Sequence, residues 1–340
     1  MGREKILAIK FKYLGDVALM APALRMLRLH APDAELHVLV AAEAAPLLNR
    51  LTWIDRVWAL PRSRGKLRLR DSLPLIRELR AEKFNRSVDF VGNDRGALLS
   101  RMIGARERLG VVAPKGFVGR NRCYTKTIEE LDTTRHETVR DAYVLSAWNV
   151  PFIRNALKLE LTPDPDFATQ AEQLMPTPRI IGHLSTSQRK KEWPVENWDR
   201  LADLLASAGQ EIIFTAGPSK REQDLLKDLQ AVDPSVHSLP KFDSLELFIA
   251  TIARAPLFIS PDTAPLHLAA ALGVPTIGMF GPTASSRWAP LGTSHSSLQG
   301  DHCPCSGHLH ECAQAERCLD AITPGQVFRA AMAQLERLPK

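Results

Sequence analysis

The sequence contains no run of the roughly 18 apolar residues that a membrane-spanning helix requires. Its longest apolar stretches, 36–42 and 268–272, are sized for a protein core. It shows no leader pattern, because Arg3, Glu4 and Lys5 run straight into the strand-like ILAIKF, and position 6, where N-terminal acylation favours Ser or Thr, is Ile6. The compartment these features predict is the cytoplasm. Aromatic residues make up only 6% of the chain and are not interleaved with the basic ones, so a stacking platform for single-stranded nucleic acid is not expected. The three-glycine dinucleotide fingerprint is missing, which disfavours a nicotinamide enzyme. Fixed-period repeats and low-complexity tracts are also lacking. A hydrophobic content of 45% with 24% charged residues excludes wholesale disorder.

The 340 residues suggest two domains at about 100–200 residues each. Charge divides unevenly between them. Residues 1–160 carry 29 Lys/Arg against 18 Asp/Glu, a net of +11, whereas residues 161–340 carry 15 against 20, a net of −5. A basic half joined to a mildly acidic one suggests that each faces a different ligand, and that the basic half attracts an anion.

Strand-like and helix-like segments alternate throughout. In the first half, strands are expected at 5–11, 35–41, 56–60 and 86–91, and helices at 16–30, 46–51, 72–82 and 97–103. Pro163, Pro165, Pro176 and Pro178 flank a short polar helix that reads as a connection. The alternation then restarts, with strands at 179–184, 210–216, near 236, 257–260 and 276–280. Helices lie at 195–207, 221–230, 245–254 and 264–272, and the last at 324–338. Strands joined by helix-length segments imply parallel sheets. The expected architecture is α/β, with two Rossmann-like doubly wound domains and a cleft between them. Residues 1–162 form an N-terminal domain, 175–323 a C-terminal domain and 324–340 a closing helix. Ligands of such sheets sit beyond the carboxyl ends of the strands, a position held here by 12–16, 185–191, 216–222 and 261–267.

Several constellations occupy these places. In ISPDTAPLHLAAALGVP (259–275) a buried strand leads into a helix beginning near Ala264, with Pro265 in its first turn and Gly273 at its end. The N–H groups of Thr263 and Ala264, the Thr263 hydroxyl and the helix dipole form an anion site, with His267 one turn in. The plainer alternative makes Asp262 an N-cap and His267 a satisfied surface group. In GHLSTSQRKKEWP (182–194) a hydroxyl-rich loop carries Arg189, Lys190 and Lys191, a set suited to a diphosphate leaving group; alternatively it is a solvated turn anchored by Trp193. Asp16, after Gly15, is either an N-cap or a general base. Arg62, Arg64, Lys66, Arg68 and Arg70 place five cations at alternate positions, which suits a polyanionic partner. Cys303, Cys305, Cys312 and Cys318 lie within sixteen residues, among His302, His308 and His310. They read as packing thiols or as a structural zinc or iron site, although their spacing departs from paired CxxC knuckles.

LGDVALMAPAL after the first strand, Lys191-Glu192-Trp193-Pro194, TAGP (215–218), DTAPLHLAAALGVP (262–275) and FGPT (280–283) occur in order. Together they resemble the ADP-heptose:lipopolysaccharide heptosyltransferases of glycosyltransferase family 9. The resemblance implies the GT-B architecture and an inverting transfer of heptose from ADP-heptose to the lipid A–Kdo inner core. It implies that Asp16 is the general base and that Lys191, next to Thr186, contacts the donor's phosphates. Asp262, Thr263, Ala264 and His267 would form the diphosphate-and-ribose loop, where many members have Gly in place of Ala264. Glu222 would lie near the nucleoside, with Ser187 and Gly217 completing the donor set. The acceptor, an anionic phosphorylated glycolipid, would dock on Arg62, Arg64, Lys66, Arg68 and Arg70, with peripheral contact at the inner membrane. No cofactor is required for this chemistry, and nucleic acid is not a partner. Alternatives are a transferase of the same scaffold with another nucleotide sugar or with a protein or small-molecule acceptor, or a GT-B sugar-nucleotide epimerase or hydrolase.

Overall fold

The computed structural model describes residues 2–61, 69–112, 116–129, 132, 134–300 and 318–338, with the backbone alone at 69–71. The chain divides into two compact units, Met1–Leu159 and Glu160–Lys340.

The first unit is built on six parallel strands in the order β3-β2-β1-β4-β5-β6: β1 (Lys5–Lys10), β2 (Glu35–Ala41), β3 (Arg56–Leu60), β4 (Arg86–Asp89), β5 (Glu107–Val112) and β6 (Lys126–Glu129). Strand β1 lies between β2, with Lys5 opposite Glu35 and Lys10 opposite Val40, and β4, with Ile6 opposite Arg86. Ile6, Leu7, Ala8 and Ile9 are all buried, as expected of a central parallel strand covered on both faces. Helices α1 (Leu14–His30), α2 (Ala45–Asn49), α3 (Leu69–Ala81), α4 (Asp94–Ile103) and α5 (Glu137–Val144) follow in the chain. Helix α1 is buried almost all round from Gly15 to Leu27, consistent with its apolar composition.

The second unit carries five parallel strands in the order β11-β10-β9-β7-β8: β7 (Ile180–His183), β8 (Ile212–Thr215), β9 (Phe258–Pro261), β10 (Thr276–Phe280) and β11 (His295–Gln299). Its helices are α6 (Ala168–Leu174), α7 (Val195–Ser207), α8 (Lys220–Val232), α9 (Leu245–Ile252), α10 (Ala264–Ala271), α11 (Ser285–Trp288) and α12 (Pro324–Leu335). Trp193, Trp198 and Phe214 form consecutive edge-to-face contacts at 5.1 and 5.9 Å. The Trp193 indole N–H donates to the Ile322 carbonyl at 2.8 Å, which ties α12's approach to the start of α7. The short polar helix among the prolines, α6, joins this unit through fully buried Ala171, and Arg254 donates to the Met175 carbonyl at 3.0 Å.

Three strands depart from the periodicity expected of the sequence. Gly110 interrupts the apolar run of β5 because the Tyr124 ring occupies its missing side-chain position; a Cβ there would lie 2.4 Å from the ring. The edge strands β6 (KTIE) and β11 (HSSLQ) are polar and largely accessible, so they carry no buried-strand signature. Conversely, the strand expected near Val236 is a single bridge between Phe214 and Ser238. Among the described residues no helix is long and apolar enough to cross a membrane.

Candidate active site

In the second unit, the loops that leave β7, β8, β9 and β10 meet at the carboxyl edge of the sheet. Ser185, just beyond β7, is fully buried. Its Oγ accepts the Gly217 N–H at 2.8 Å and donates to Glu222 Oε1 at 3.3 Å, fastening the first loop to the next. Glu222 also closes a capping box at the start of α8: its Oε2 accepts the Ser219 hydroxyl at 2.5 Å and the Ser219 N–H at 3.2 Å. Gly217 is required by this close approach, since a Cβ there would lie 2.3 Å from Glu222 Oε1.

The loop from 185 to 192 is shaped internally. The Thr186 hydroxyl donates to the Gln188 carbonyl at 2.6 Å and accepts the Gln188 N–H at 3.1 Å, so it organises the turn. The Thr186 N–H donates to buried Glu192 at 3.2 Å; Glu192 in turn receives the Arg221 guanidinium at 2.5 Å, and Arg221 also donates to the Thr186 carbonyl. Ser187 is exposed at the bend. This network presents Lys191, whose Nζ lies 2.7 Å from Asp262 Oδ2. The same oxygen accepts the Thr283 hydroxyl at 2.7 Å.

Asp262 therefore does not cap α10. Thr263 is the extended N-cap, Ala264 opens the helix, and Asp262 is committed to Lys191 and Thr283. His267 is buried within α10 and is not the surface group of the plainer reading. Gln299 holds the loop after β10, donating to the Phe280 and Gly281 carbonyls at 3.1 Å and accepting the Ser285 N–H at 2.8 Å. The edge thus combines a cation, hydroxyls, a carboxylate and the N-terminus of an eight-residue helix, a set whose chemistry suits a phosphorylated ligand.

In the first unit, Asp16 is the third residue of α1 and not its cap; Tyr13 holds the N-cap position, and its N–H donates to Asp16 Oδ2 at 3.1 Å. Asp16 is 8% exposed. Close by lies a buried charge cluster. Lys10, the last residue of β1, is 1% exposed, with its Nζ 2.5 Å from Asp141 and 3.9 Å from Glu137. Glu137 also pairs with Arg140 at 2.7 Å. Burial pulls the Lys10 ammonium down, but the carboxylates of Asp141, Glu137 and Asp16 outweigh it and hold the group above its usual range. Burial raises the Asp141 carboxyl, and Glu137 and Asp16 add to that against the pull of Lys10.

The carboxyl-edge loops bring Lys191, Asp262, Thr263 and Ala264 together, and Ser185 connects Gly217 with Glu222. Arg62, Arg64, Lys66 and Arg68 lie outside the described residues, and Arg70 is described only by its backbone in the first turn of α3. Cys303, Cys305 and Cys312 lie outside them as well, while Cys318 opens a short 3-10 turn to Ala321. Sequence reasoning passed over Lys10, Asp141, Ser185, Glu192, Arg221 and Thr283. Ser185, Glu192, Arg221 and Thr283 lay inside segments or motifs the sequence singled out, but without individual roles; Lys10 carried the signal of a lysine within an otherwise apolar strand.

The model of glycosyltransferase family 9 (heptosyltransferase) matches residues 72–318. The chain belongs to glycosyltransferase family 9. Over 304 residues it is 25% identical to lipopolysaccharide heptosyltransferase 3 of Escherichia coli, covering 82% of this chain and 84% of that one. Among solved structures it is similar to a family 9 glycosyltransferase from Veillonella parvula, with a TM-score of 0.82 at 22% identity and 98% of each chain covered. It is also similar to the E. coli heptosyltransferase WaaC with ADP, with a TM-score of 0.74 at 20% identity, covering 97% of this chain and 99% of that one. The transferase has the GT-B fold. Asp16 and Lys10 precede the span that the family model matches.

Proposed function

We propose that this transferase moves heptose from ADP-heptose to an anionic phosphorylated glycolipid of the lipopolysaccharide inner core, with inversion. The observation that carries the reading is the convergence of Lys191, Asp262 and Thr283 at the mouth of α10. The similarity to a heptosyltransferase solved with ADP and to a lipopolysaccharide heptosyltransferase supports the choice of donor and acceptor.

In this reading the donor diphosphate lies against the N–H groups of Thr263 and Ala264. It competes with Asp262 for the Lys191 ammonium, and Glu222, positioned by Ser185 and Ser219, faces the nucleoside side. Thr186 and Ser187 shape and border the loop, Gly217 gives Glu222 its clearance, and His267 supports the first turn of α10. Asp16 takes the proton from the acceptor hydroxyl as its oxygen attacks the anomeric carbon. The bond from that carbon to the diphosphate oxygen breaks on the opposite side, and ADP leaves. Lys191 and the helix dipole meet the leaving-group charge, so the step needs no divalent ion. The acceptor's phosphates are assigned to Arg62, Arg64, Lys66, Arg68 and Arg70. The proposed domains are 1–162 for the acceptor and 175–323 for the donor, with 324–340 closing the second, and the proposed place of action is the cytoplasmic face of the inner membrane.

Incubation with ADP-heptose tests this, with and without a phosphorylated Kdo–lipid A acceptor. ADP release only with acceptor, undiminished by EDTA, is the expected result. Release without acceptor would replace the proposal with a hydrolase or epimerase, and turnover with a different nucleotide sugar alone would replace the donor.

A further inference from the structure

The connection from β5 to β6 carries an exposed apolar tip. Val118 is fully bare, at 103% relative exposure, and its neighbour Phe117 is 39% exposed. Single apolar residues on a surface need no explanation, but this pair is built into a fixed turn. Gly116 at φ +152° and Gly119 at φ +84° bracket it. The Phe117 N–H donates to Asp94 Oδ1 at 3.1 Å, and the guanidinium of buried Arg120 reaches the same oxygen at 3.1 Å. A Cβ at Gly116 would lie 1.8 Å from Arg120 Nη1 and 2.3 Å from Asp94 Oδ1, so a side chain there would displace this pair. A charged pair and two glycines at positive φ thus hold Val118 out into water with Phe117 partly exposed beside it.

The location is as specific as the turn. Asp94 is the first residue of α4, which begins beyond the carboxyl end of β4, and β4 pairs with β1. The tip therefore stands at the same end of the sheet as Asp16. Exposed Arg122 follows it, and residues 1–160 carry a net charge of +11. An apolar tip followed by an exposed arginine, on a half of the chain with net positive charge, is complementary to an anionic bilayer: the side chains enter the acyl boundary while Arg122 remains among the headgroups.

We propose that the 116–122 turn is a membrane wedge through which the first unit docks on an anionic lipid bilayer, bringing Asp16 to an acceptor held there. The functional half of this inference rests on the glycolipid-acceptor reading above; the docking half does not. The experiment separates them. Wild type and a Phe117→Ser/Val118→Ser variant are sedimented with vesicles of phosphatidylcholine containing phosphatidylglycerol, and with phosphatidylcholine alone. Transfer is measured to vesicle-borne acceptor and to its delipidated phosphorylated oligosaccharide. Both substitutions are on the surface, and an unchanged melting temperature confirms folding.

The double variant is expected to lose about 10- to 100-fold in partition to anionic vesicles, from the apolar area it no longer buries. Arg122→Gln should lose about fivefold, on anionic vesicles only. The KM for vesicle-borne acceptor should rise in parallel, with oligosaccharide kinetics unchanged. Equal vesicle binding by wild type and the double variant overturns the wedge and leaves the proposed function intact. So does failure of the wild type to sediment with anionic vesicles. Vesicle binding that depends on the tip, without transfer to either acceptor, upholds the docking surface and removes the acceptor reading instead.

Discussion

The two units treat the same position in opposite ways. Lys10 ends β1 and His183 ends β7, the first strand of each sheet, and both side chains are buried, at 1% and 2% exposure. Lys10 stays charged because Asp141 and Glu137 come with it into the interior. His183 stays neutral: its ring lies 6.0 Å from that of Phe248 and 6.2 Å from that of Phe258, and burial lowers its pKa to about 3. The first unit thus keeps its fixed charge beneath the candidate base. The second leaves the end of its first strand uncharged and places a cation in the loop beyond it, where Lys191 is 18% exposed. In the proposed reading, Lys191 meets an arriving diphosphate and so has to be free to leave Asp262, whereas Lys10 only frames a carboxylate and can stay locked in its buried pair.

The largest break in this comparison is at the base itself. Asp16→Ala should reduce transfer by about 10²- to 10⁴-fold, the range for losing a general base, while ADP affinity measured by calorimetry stays within about twofold. Lost ADP affinity with residual turnover would move Asp16 out of the role. Next comes Lys10→Met, which strands Asp141 while Glu137 keeps Arg140. It should cost about 3–5 kcal/mol in urea unfolding, because a buried carboxylate without its partner is expensive. A double variant, Lys10→Met with Asp141→Leu, should recover a good part of that loss; no recovery would mean that Lys10 acts through packing rather than charge.

Much of this was legible in the sequence, and the boundary is physical. The buried central strands and the helices α1, α7 and α10 announce themselves through apolar runs and Pro–Gly punctuation. Edge strands such as β11 do not, since a strand wet on one side needs no apolar run. The candidate loops were identifiable because chemistry at a sheet's carboxyl edge concentrates in segments such as 185–191 and 261–267. The roles within them were not. Asp262 looks like a cap beside Thr263 and Ala264, and only the fold shows its carboxylate turned to Lys191, 71 residues away in the chain. Ser185, Glu192 and Arg221 lay within the segments and motifs singled out, but their contacts were hidden for the same reason: each acts through a partner at least six residues distant, and sequence spacing does not encode that distance.

Lys191→Ala sharpens the contrast with Lys10. Removing one charge-assisted contact should weaken ADP binding by about 10- to 100-fold and lower turnover with it. Folding should change by only about 1 kcal/mol, because Asp262 keeps Thr283 and lies beside the N-terminus of α10. Unaltered ADP binding in calorimetry would take Lys191 out of the donor site. A collapse in stability like that of Lys10→Met would erase the distinction between a locked and an exchangeable cation.

The smallest effect tests the neutral side of the comparison, through pH. In the unfolded chain His183 takes up a proton near its ordinary pKa of 6.5, whereas in the folded protein it resists until about 3. Between those values the unfolded state binds more protons, so stability falls as the solution is acidified and rises again toward neutrality. From pH 7 to pH 5 the contribution of this residue is about 2 kcal/mol, since each unit of pH below the unfolded pKa costs about 1.4 kcal/mol. His183→Asn has nothing to titrate at that position. Urea unfolding of the variant should therefore show a loss between pH 7 and pH 5 that is about 2 kcal/mol smaller than in wild type, whatever its starting stability. Equal losses in both proteins would mean that the ring accepts its proton in the folded state, and that the second unit buries a charge at the end of its first strand just as the first unit does.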